Sequence, residues 1–444
     1  MKNIDMNIDN LKNLTSDILQ EAKRLGATAC EAGISSATGL SVTVRLGEID
    51  TLEFHKDKGL ELTLYKDKRK GSISCSDFSW DAIKDAIQAA ADIAEYTQED
   101  SCSGLADQTE LAQDIPDCDL HHPWDMSAVG AIQLAKSCEA AALGFDKRIT
   151  NSEGASLSTH SRLYVYGTSH GFLAGYASTR HSLSCSVIGQ DGQVMQRDHD
   201  YTTARHATEL FTPEFVGKSA AEKTIKRLNP QQLKTASVPV IFTPNTARGL
   251  LGHFISAISG GSLYRKSSFL LDTLGKAVFP TFMELHEKPF IKKGLGSAPF
   301  DGEGVAPRER ALVSQGILQS YVLSSYSARK LGMKTTGNQG GVHNLIVQDT
   351  GLSFAALLQK MQTGLLVTEL MGPGVNLVTG DYSRGATGFW VENGVIQYPV
   401  AEITIAGNLK DMFQNIVDIG NDIDKRGNIL TGSILLEAMM VAGL

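Results

Sequence analysis

The apolar residues change period just after residue 25, and that change limits the folds open to the chain. Ile8, Leu11, Leu14, Ile18, Leu19, Ala22 and Leu25 recur at three- and four-residue intervals, and Gly26 follows them. That spacing predicts one apolar helical face with a glycine stop. From residue 40 the period is two. "LSVTVRLGEIDTLEF" and "KGLELTLYKDKRKGSISCSDF" each read as two alternating strands around a polar turn, so as successive hairpins. "SWDAIKDAIQAAADIAE", residues 79–95, returns to helical spacing. Helix, hairpins, helix specifies an α+β fold with an antiparallel sheet, not the strand–helix alternation of a parallel doubly wound one. The basic run "KDKRK" at 66–70 reads as a solvated hairpin tip.

Residues 96–125 are acidic and turn-rich, lack an apolar period, and read as a linker-like surface excursion. A helix is predicted at 127–143, followed by strands in "SRLYVYGTSHGFLAGYASTRHSLSCSVIG". Thr212-Pro213 supplies an N-cap and a proline at the first helical position, for a helix ending at Asn229-Pro230. "VPVIFTP" then opens a new apolar strand. The expected boundary therefore lies near residue 235, between an N-terminal α+β domain (1–234) and a β-rich C-terminal domain (235–444). In the second half, Asn393-Gly394 is the strongest hairpin signal, because both central positions of a type I′ turn need positive φ. "SQGILQSYVLSSYSARKLG" and "ENGVIQYPVAEITIAGNLK" form a weak internal repeat of glycine turn, strand and helix-compatible stretch. Asn245 suits the N-cap of a helix over about 245–259. The expected C-terminal architecture is mixed, mostly antiparallel β with a buried helix.

Composition removes several function classes. A chain of 444 residues has material for more than one core. A formal net charge of −8 opposes nucleic-acid binding, which needs a basic surface. No apolar run reaches the roughly 18 residues of a membrane span, and the start "MKNIDMNIDNLKN" lacks the apolar stretch of a secretory signal. Cys30, Cys75, Cys102, Cys118, Cys138 and Cys185 show no CxxC spacing. They read as reduced thiols of a cytoplasmic protein.

The segment "GHFISAISGG", 252–261, poses the sharpest chemical question. Its helix carries Leu250, Leu251, Phe254, Ile255 and Ile258 on one side and Gly249, Gly252, Ser256 and Gly260 on another, so it reads as buried nearly all round. The common zinc-protease helix needs two histidines four apart and a glutamate that takes a proton from metal-bound water. Here His253 stands alone and reads as a packed core histidine. "HE" occurs once, at His286-Glu287, with no partner histidine nearby in sequence. His343, in "GNQGGVHN", suits a loop base, a ligand or a structural loop. "DHD" at 198–200 has metal-like composition, but neighbouring residues on a strand point to opposite sides. "GDYSRGATGFW", 380–390, places Ser383 and Arg384 between glycines, as a loop gripping a polypeptide or carboxylate would, or a plain surface turn.

Taken together, "DKRITNSEGAS", "GYASTRHSLS", "GGSLYRKSSFLLDTLGK", "SSYSARKLGMKTTGN", "VTELMGPGVN", "GDYSRGATGFWVENGVIQYPVAEITIAGNLKDM" and "NIVDIGND" resemble the TldD/PmbA family, and specifically its PmbA (TldE) branch. The likeness runs in order from about residue 30 to the end. It implies a two-domain cytosolic protein concerned with proteolysis of peptides, including antibiotic precursors and an antitoxin. It further implies a heterodimer in which a TldD-type partner carries zinc on an HExxxH helix, completed by a cysteine near its C-terminus. Setting His253 as the first histidine puts Phe254 at the glutamate, Ile258 at the second histidine and Thr431 at the cysteine. The resemblance therefore implies no metal or cofactor in this chain, with zinc in the partner. Tyr264, Arg265, Ser383 and Arg384 are the expected peptide contacts, on polar character and motif density, beside a sheet edge that could pair with substrate backbone. A homodimer in the partner's absence stays open. Two rivals remain: a stand-alone metallopeptidase with cryptic ligands such as His343, Glu369 and Asp381, and a non-enzymatic binding protein or gyrase modulator.

Overall fold

The computed structural model describes residues 7–443. Residues 1–6 of the polar opening segment lie outside the described residues. The N-terminal half runs α1 (Ile8–Arg24), β1 (Ala29–Arg45), β2 (Glu48–Lys66), β3 (Arg69–Cys75), α2 (Trp80–Tyr96), α3 (Ala128–Leu143), β4 (Ile149–Thr168), β5 (Leu173–Asp191), β6 (Val194–Ala204) and α4 (Pro213–Lys226). Its strands form one antiparallel sheet in the order β3-β2-β1-β4-β5-β6. The two expected hairpins are one three-stranded meander. The polar stretch 55–58, which suggested a break, lies mid-strand in β2, where Lys58 pairs with Ser36 and Lys56 with Thr38. The true tips are Leu46-Gly47 and Asp67, all at positive φ, and the second is the solvated "KDKRK" turn.

The two faces of this sheet differ in chemistry. Cys30, Ala32, Ile34, Leu60, Leu62 and Leu64 pack under α1 and α2. Leu40, Val42, Val44, Leu157, Leu183, Cys185 and Val187 pack under α3 and α4. Even-numbered β1 residues thus feed both cores, so all four helices cover one face. The other face carries Glu31, Gly33, Ser35, Glu61, Arg162, Tyr164, Tyr166 and Tyr176, and it lines a cleft against the C-terminal half. All six cysteines are free thiols, four of them buried.

The C-terminal half continues with β7 (Ala236–Phe242), α5 (Pro244–Ala257), α6 (Gly260–Tyr264), β8 (Leu285–Lys288), β9 (Arg310–Ser314), β10 (Ile317–Leu318), α7 (Ser325–Lys330), β11 (Asn344–Val347) and α8 (Phe354–Met361). Then come β12 (Gly364–Met371), β13 (Asp381–Glu392), β14 (Val395–Asn408), α9 (Leu409–Gln414), β15 (Ile416–Ile419), β16 (Ile429–Leu430) and β17 (Ile434–Ala442). One sheet has the order β14-β13-β12-β7-β17-β15, and β14 also pairs with β17. Five strands therefore close into a ring, with β15 appended. Val240 and Phe242 of β7 enter the large core while Ile241 packs outward against α8, the period-two signature of a barrel wall. A smaller sheet runs β10-β9-β8-β11-β16 and is parallel only at β11–β16.

Asn393 and Gly394 have φ of 53° and 70°, as the I′ turn requires, and join β13 to β14. The weak repeat is real locally. Gln315-Gly316 turns β9 into β10 with φ of 50° and 74° and leads to α7, as Asn393-Gly394 leads through β14 to α9. The two units sit in different sheets, and the first has a two-residue return strand. The helix expected from Asn245 has its N-cap two residues earlier, at Thr243, with Pro244 in the first turn.

Residues 96–125 have little regular structure, yet they are not a solvated excursion. Arg329 of α7 donates to the carbonyls of Cys102, Gly104 and Leu105. The Tyr326 hydroxyl and Lys330 both reach Asp100, at 2.7 and 2.9 Å. Ala106, Leu111 and Ala112 join Tyr166, Phe172, Phe300 and Val305 in an apolar cluster drawn from both halves. Contacts distant in sequence fasten the segment, and its own composition carries no sign of them.

Candidate functional site

Helix α5 has one buried side and one open side. Leu250, Leu251, Phe254 and Ala257 are fully buried, and so is Ile258 at its C-cap. Phe254 meets the rings of Phe279 and Phe413 at 4.9 and 5.9 Å. On the opposite side a Cβ added at Gly249 or Gly252 would meet nothing within 4 Å. The expectation of a helix buried nearly all round is therefore corrected at Gly249 and Gly252, which are open, while Gly260 beyond the helix end is buried against Ser327 and Leu323.

His253 borders that open face. Its ring lies edge-on to Tyr382 at 6.1 Å. Among the described residues, neither the His253 Nε2 nor the Tyr382 hydroxyl, both buried atoms, has a hydrogen-bond partner. Burial, and then the nearby Arg384 charge, lower the His253 pKa. Burial raises Tyr382 to about 12, against the pull of Arg384. An imidazole beside a guanidinium and a phenol, with no carboxylate or thiol, is a poor place for a dication. Among the described residues, no group of three or more His, Cys, Asp or Glu side chains could hold a metal ion. The residues at this position do not fit zinc.

The expected peptide contacts fall in two places. Arg265 lies over the Tyr264 ring at 5.2 Å and donates to its hydroxyl at 3.1 Å, at the end of α6. Tyr264 also packs edge-on against Tyr326 at 5.8 Å. Ser383 and Arg384 belong to strand β13, not to a loop. Ser383 pairs with Ala406, and its N–H is bonded to the Gly374 carbonyl at 2.7 Å. Arg384 donates from Nε to the Gly372 carbonyl at 2.9 Å. None of the four offers a free strand edge, so any grip on a peptide is by side chain. Among the described residues no hydrogen bond or ion pair joins the two places.

Other candidates resolve as structural. Thr431 is 1% exposed and bonds the Gly432 carbonyl. Asp198 pairs with Arg227, and Asp200 with Arg426 and Lys223, while His199 points outward. The trio His343, Glu369 and Asp381 is not brought together: Glu369 pairs with Arg227 at 2.7 Å, and Asp381 accepts from Thr379 at 2.6 Å.

His343 instead finds Glu287, the acid of the solitary "HE". Glu287 is 1% exposed and His343 is 7% exposed. Glu287 Oε1 takes the His343 backbone N–H at 2.8 Å, the Asn338 amide at 2.8 Å and His343 Nδ1 at 3.1 Å; Oε2 takes Arg310 Nε at 2.9 Å. Burial pushes the Glu287 pKa up, but the His343 hydrogen bond and the Arg310 charge outweigh it and hold the carboxyl below its ordinary value. An ionised carboxylate only accepts, so Nδ1 carries the proton, which leaves Nε2 as the free position of the ring. Among the described residues nothing hydrogen-bonds that Nε2, and His343 lines the cleft against the N-terminal sheet. Sequence reading noticed both residues and could not join them, because 56 positions separate them on different elements.

Comparison with known proteins agrees with this architecture. Residues 30–94, 121–228 and 235–443 match, in turn, domain 1, the central domain and the C-terminal domain of the PmbA/TldA metallopeptidases. Metalloprotease PmbA of Escherichia coli O157:H7 is 54% identical over 93% of this chain and 92% of its own length. The metalloprotease PmbA homolog of Haemophilus influenzae is 51% identical over 98% of this chain and 96% of its own. A crystal structure from Bacteroides thetaiotaomicron, described as a modulator of DNA gyrase, superposes with a TM-score of 0.94 at 28% identity, over 99% of this chain and 100% of that one. The chain belongs to the PmbA branch of the TldD/PmbA metallopeptidase family. No helix among the described residues is long and apolar enough to cross a membrane.

Proposed function

We propose that this chain is the PmbA/TldE-type subunit of a metalloprotease that degrades or processes unfolded peptides in the cytoplasm. A TldD-type partner would supply the zinc, the general base and the metal-bound water. The observation that carries this reading is the setting of Phe254 and Ile258. They stand where the family's glutamate and second histidine would be, and both are fully buried in the apolar core. Ligands there would have to be buried among Phe279, Leu285 and Phe413 without polar partners, at a cost of several kcal/mol.

On this reading the chain walls the chamber and holds substrate. Antibiotic precursors and antitoxin-like chains are the substrate class, and Tyr264, Arg265, Ser383 and Arg384 contact the peptide by side chain. The open glycine side of α5 admits close backbone approach, which suits a subunit contact next to His253. The test gives an unstructured fluorogenic peptide to the purified chain, to a TldD-type protein and to their mixture, each with and without chelator. Chelator-sensitive cleavage confined to samples with the partner, and greatest in the mixture, is expected. Chelator-sensitive cleavage by this chain alone overturns the reading in favour of a self-sufficient enzyme. A folded chain that never alters its partner's cleavage overturns it in favour of a non-enzymatic binding role.

A further inference from the structure

The helix-free face of the N-terminal sheet is where an antiparallel sheet usually meets water. Here it is roofed by residues 296–303 and 339–343 of the C-terminal half. The space between has two lobes, of about 370 and 630 Å3, which share Gly33, Glu61, Tyr164, Gly302 and Gln339 and so form one cleft. A Cβ at Gly340 or Gly341 would meet nothing within 4 Å, and one at Gly59 only the Ser35 hydroxyl at 3.7 Å. Both walls are thus bare backbone in places.

The groups facing this space are mostly acceptors. Its carboxylates are Glu31, Glu61, Asp100, Asp301 and Glu303, against the cations Lys70 and Arg162. Several of the acids are already satisfied. Glu31 accepts from the Tyr65 and Tyr166 hydroxyls, Asp100 from Tyr326 and Lys330, and Asp301 from three backbone N–H groups. Glu61 has no hydrogen-bond or ion-pair partner among the described residues, and Glu303 uses one oxygen on the Ser325 N–H at 2.8 Å. Independently of these acids, His343 is more than nine-tenths buried, has its Nδ1 held by Glu287, and lines this cleft. The aromatic wall already takes one cation at its rim, where the Arg162 guanidinium lies over Tyr164 at 5.2 Å.

We propose that this cleft is a second ligand site, which takes an alkylammonium or guanidinium group between Glu61, Glu303 and the tyrosine rings, with His343 Nε2 accepting a hydrogen bond from the same ligand. Burial and the neighbouring Asp301 and Glu31 charges raise the Glu303 pKa to about 6, against the hydrogen bonds from Ser325. A cation beside it would relieve that cost. The cation could be a lysine or arginine side chain of a peptide, or a free polyamine. The site does not depend on where zinc resides, so it can fail without the peptidase reading failing.

Isothermal titration of the purified full-length chain at low salt tests it with three probes: a short acetylated, amidated lysine peptide, its glutamine counterpart, and spermidine. The lysine peptide, spermidine or both should bind, with the glutamine peptide at least about tenfold weaker than the lysine peptide wherever that peptide binds, as expected for loss of a charge-assisted hydrogen bond. Which cation binds more tightly identifies the source. Glu61→Gln should weaken cation binding about tenfold, and Tyr164→Leu or His343→Gln should weaken it further in combination. His343→Gln disturbs a buried network, so Glu61→Gln, on an exposed strand position with no partner of its own, keeps the test decisive. Equal affinity for the lysine and glutamine peptides, no binding of any cation, or unchanged binding by Glu61→Gln each overturns the proposal.

Discussion

His253 and His343 occupy opposite electrostatic settings in the same half of the molecule. His253 sits on α5 beside a phenol and a guanidinium, and its Nε2 has no hydrogen-bond partner among the described residues. His343 lies on a loop with no motif around it, yet a buried carboxylate holds one nitrogen, and that carboxylate is itself held by Arg310 and Asn338. A motif position is fixed by place along the chain, whereas an oriented imidazole is made by residues from distant elements. The first is legible in a sequence, the second only in a fold.

The largest expected effect separates the two histidines by stability. Glu287→Ala leaves Arg310 and His343 buried without their acid and should cost about 3–5 kcal/mol in denaturant unfolding. His253→Leu removes an unpartnered polar atom and should change stability by less than about 1 kcal/mol. Equal losses would break the contrast. The Glu287 contribution also has a pH signature. Its folded pKa lies below the ordinary 4.5, so the stabilisation is complete above that value and is lost as the pH falls through the folded pKa. The gap between wild type and Glu287→Ala should therefore close in acid.

Arg384 sharpens the His253 side. Its Nε bonds the Gly372 carbonyl and not Asp381, so it is not committed to stiffening its own turn through an ion pair. Arg384→Ala should slow peptide cleavage by the two-subunit complex about ten- to hundredfold with its melting point little changed. A complex that melts earlier and cleaves normally would make the residue structural.

Glu303 tests the His343 side. A carboxyl raised from 4.5 to about 6 by burial favours the folded state fully only below 4.5 and loses that contribution as the pH rises through 6. Glu303→Gln, which keeps an acceptor for Ser325, should therefore stabilise the chain by about 2 kcal/mol at pH 8 and by almost nothing at pH 4.5. A pH-independent effect would remove the charge from the explanation. The smallest effect belongs to the open side of α5. Gly252→Ala has room for its Cβ and should stabilise the isolated chain by about 0.5–1 kcal/mol. If that face docks a subunit, the same change should weaken assembly, measured by analytical ultracentrifugation of the mixture.

The sequence carried the local structure well. Apolar period, Thr212-Pro213 and Asn393-Gly394 each point to an element that is present, because each depends on neighbours within a few residues. The long strand β2 was missed because its polar middle is held by pairing to β1 rather than by its own pattern. The fastening of 96–125 by Arg329 and Tyr326 was missed for the same reason: its partners lie more than 220 positions away. At the candidate sites, the solitary position of His253 on its helix was readable in the sequence. The placement of Ser383 and Arg384 on a paired strand was not, and neither was the Glu287–His343 pair.

The claim that this chain keeps the outline of a zinc helix without its chemistry is tested most directly by the zinc content of the purified proteins. Elemental analysis should find no stoichiometric zinc in the chain alone and about one zinc per two-subunit complex, unchanged when the complex carries His253→Ala. One zinc per chain in the isolated protein, lost on His253→Ala, would contradict the account.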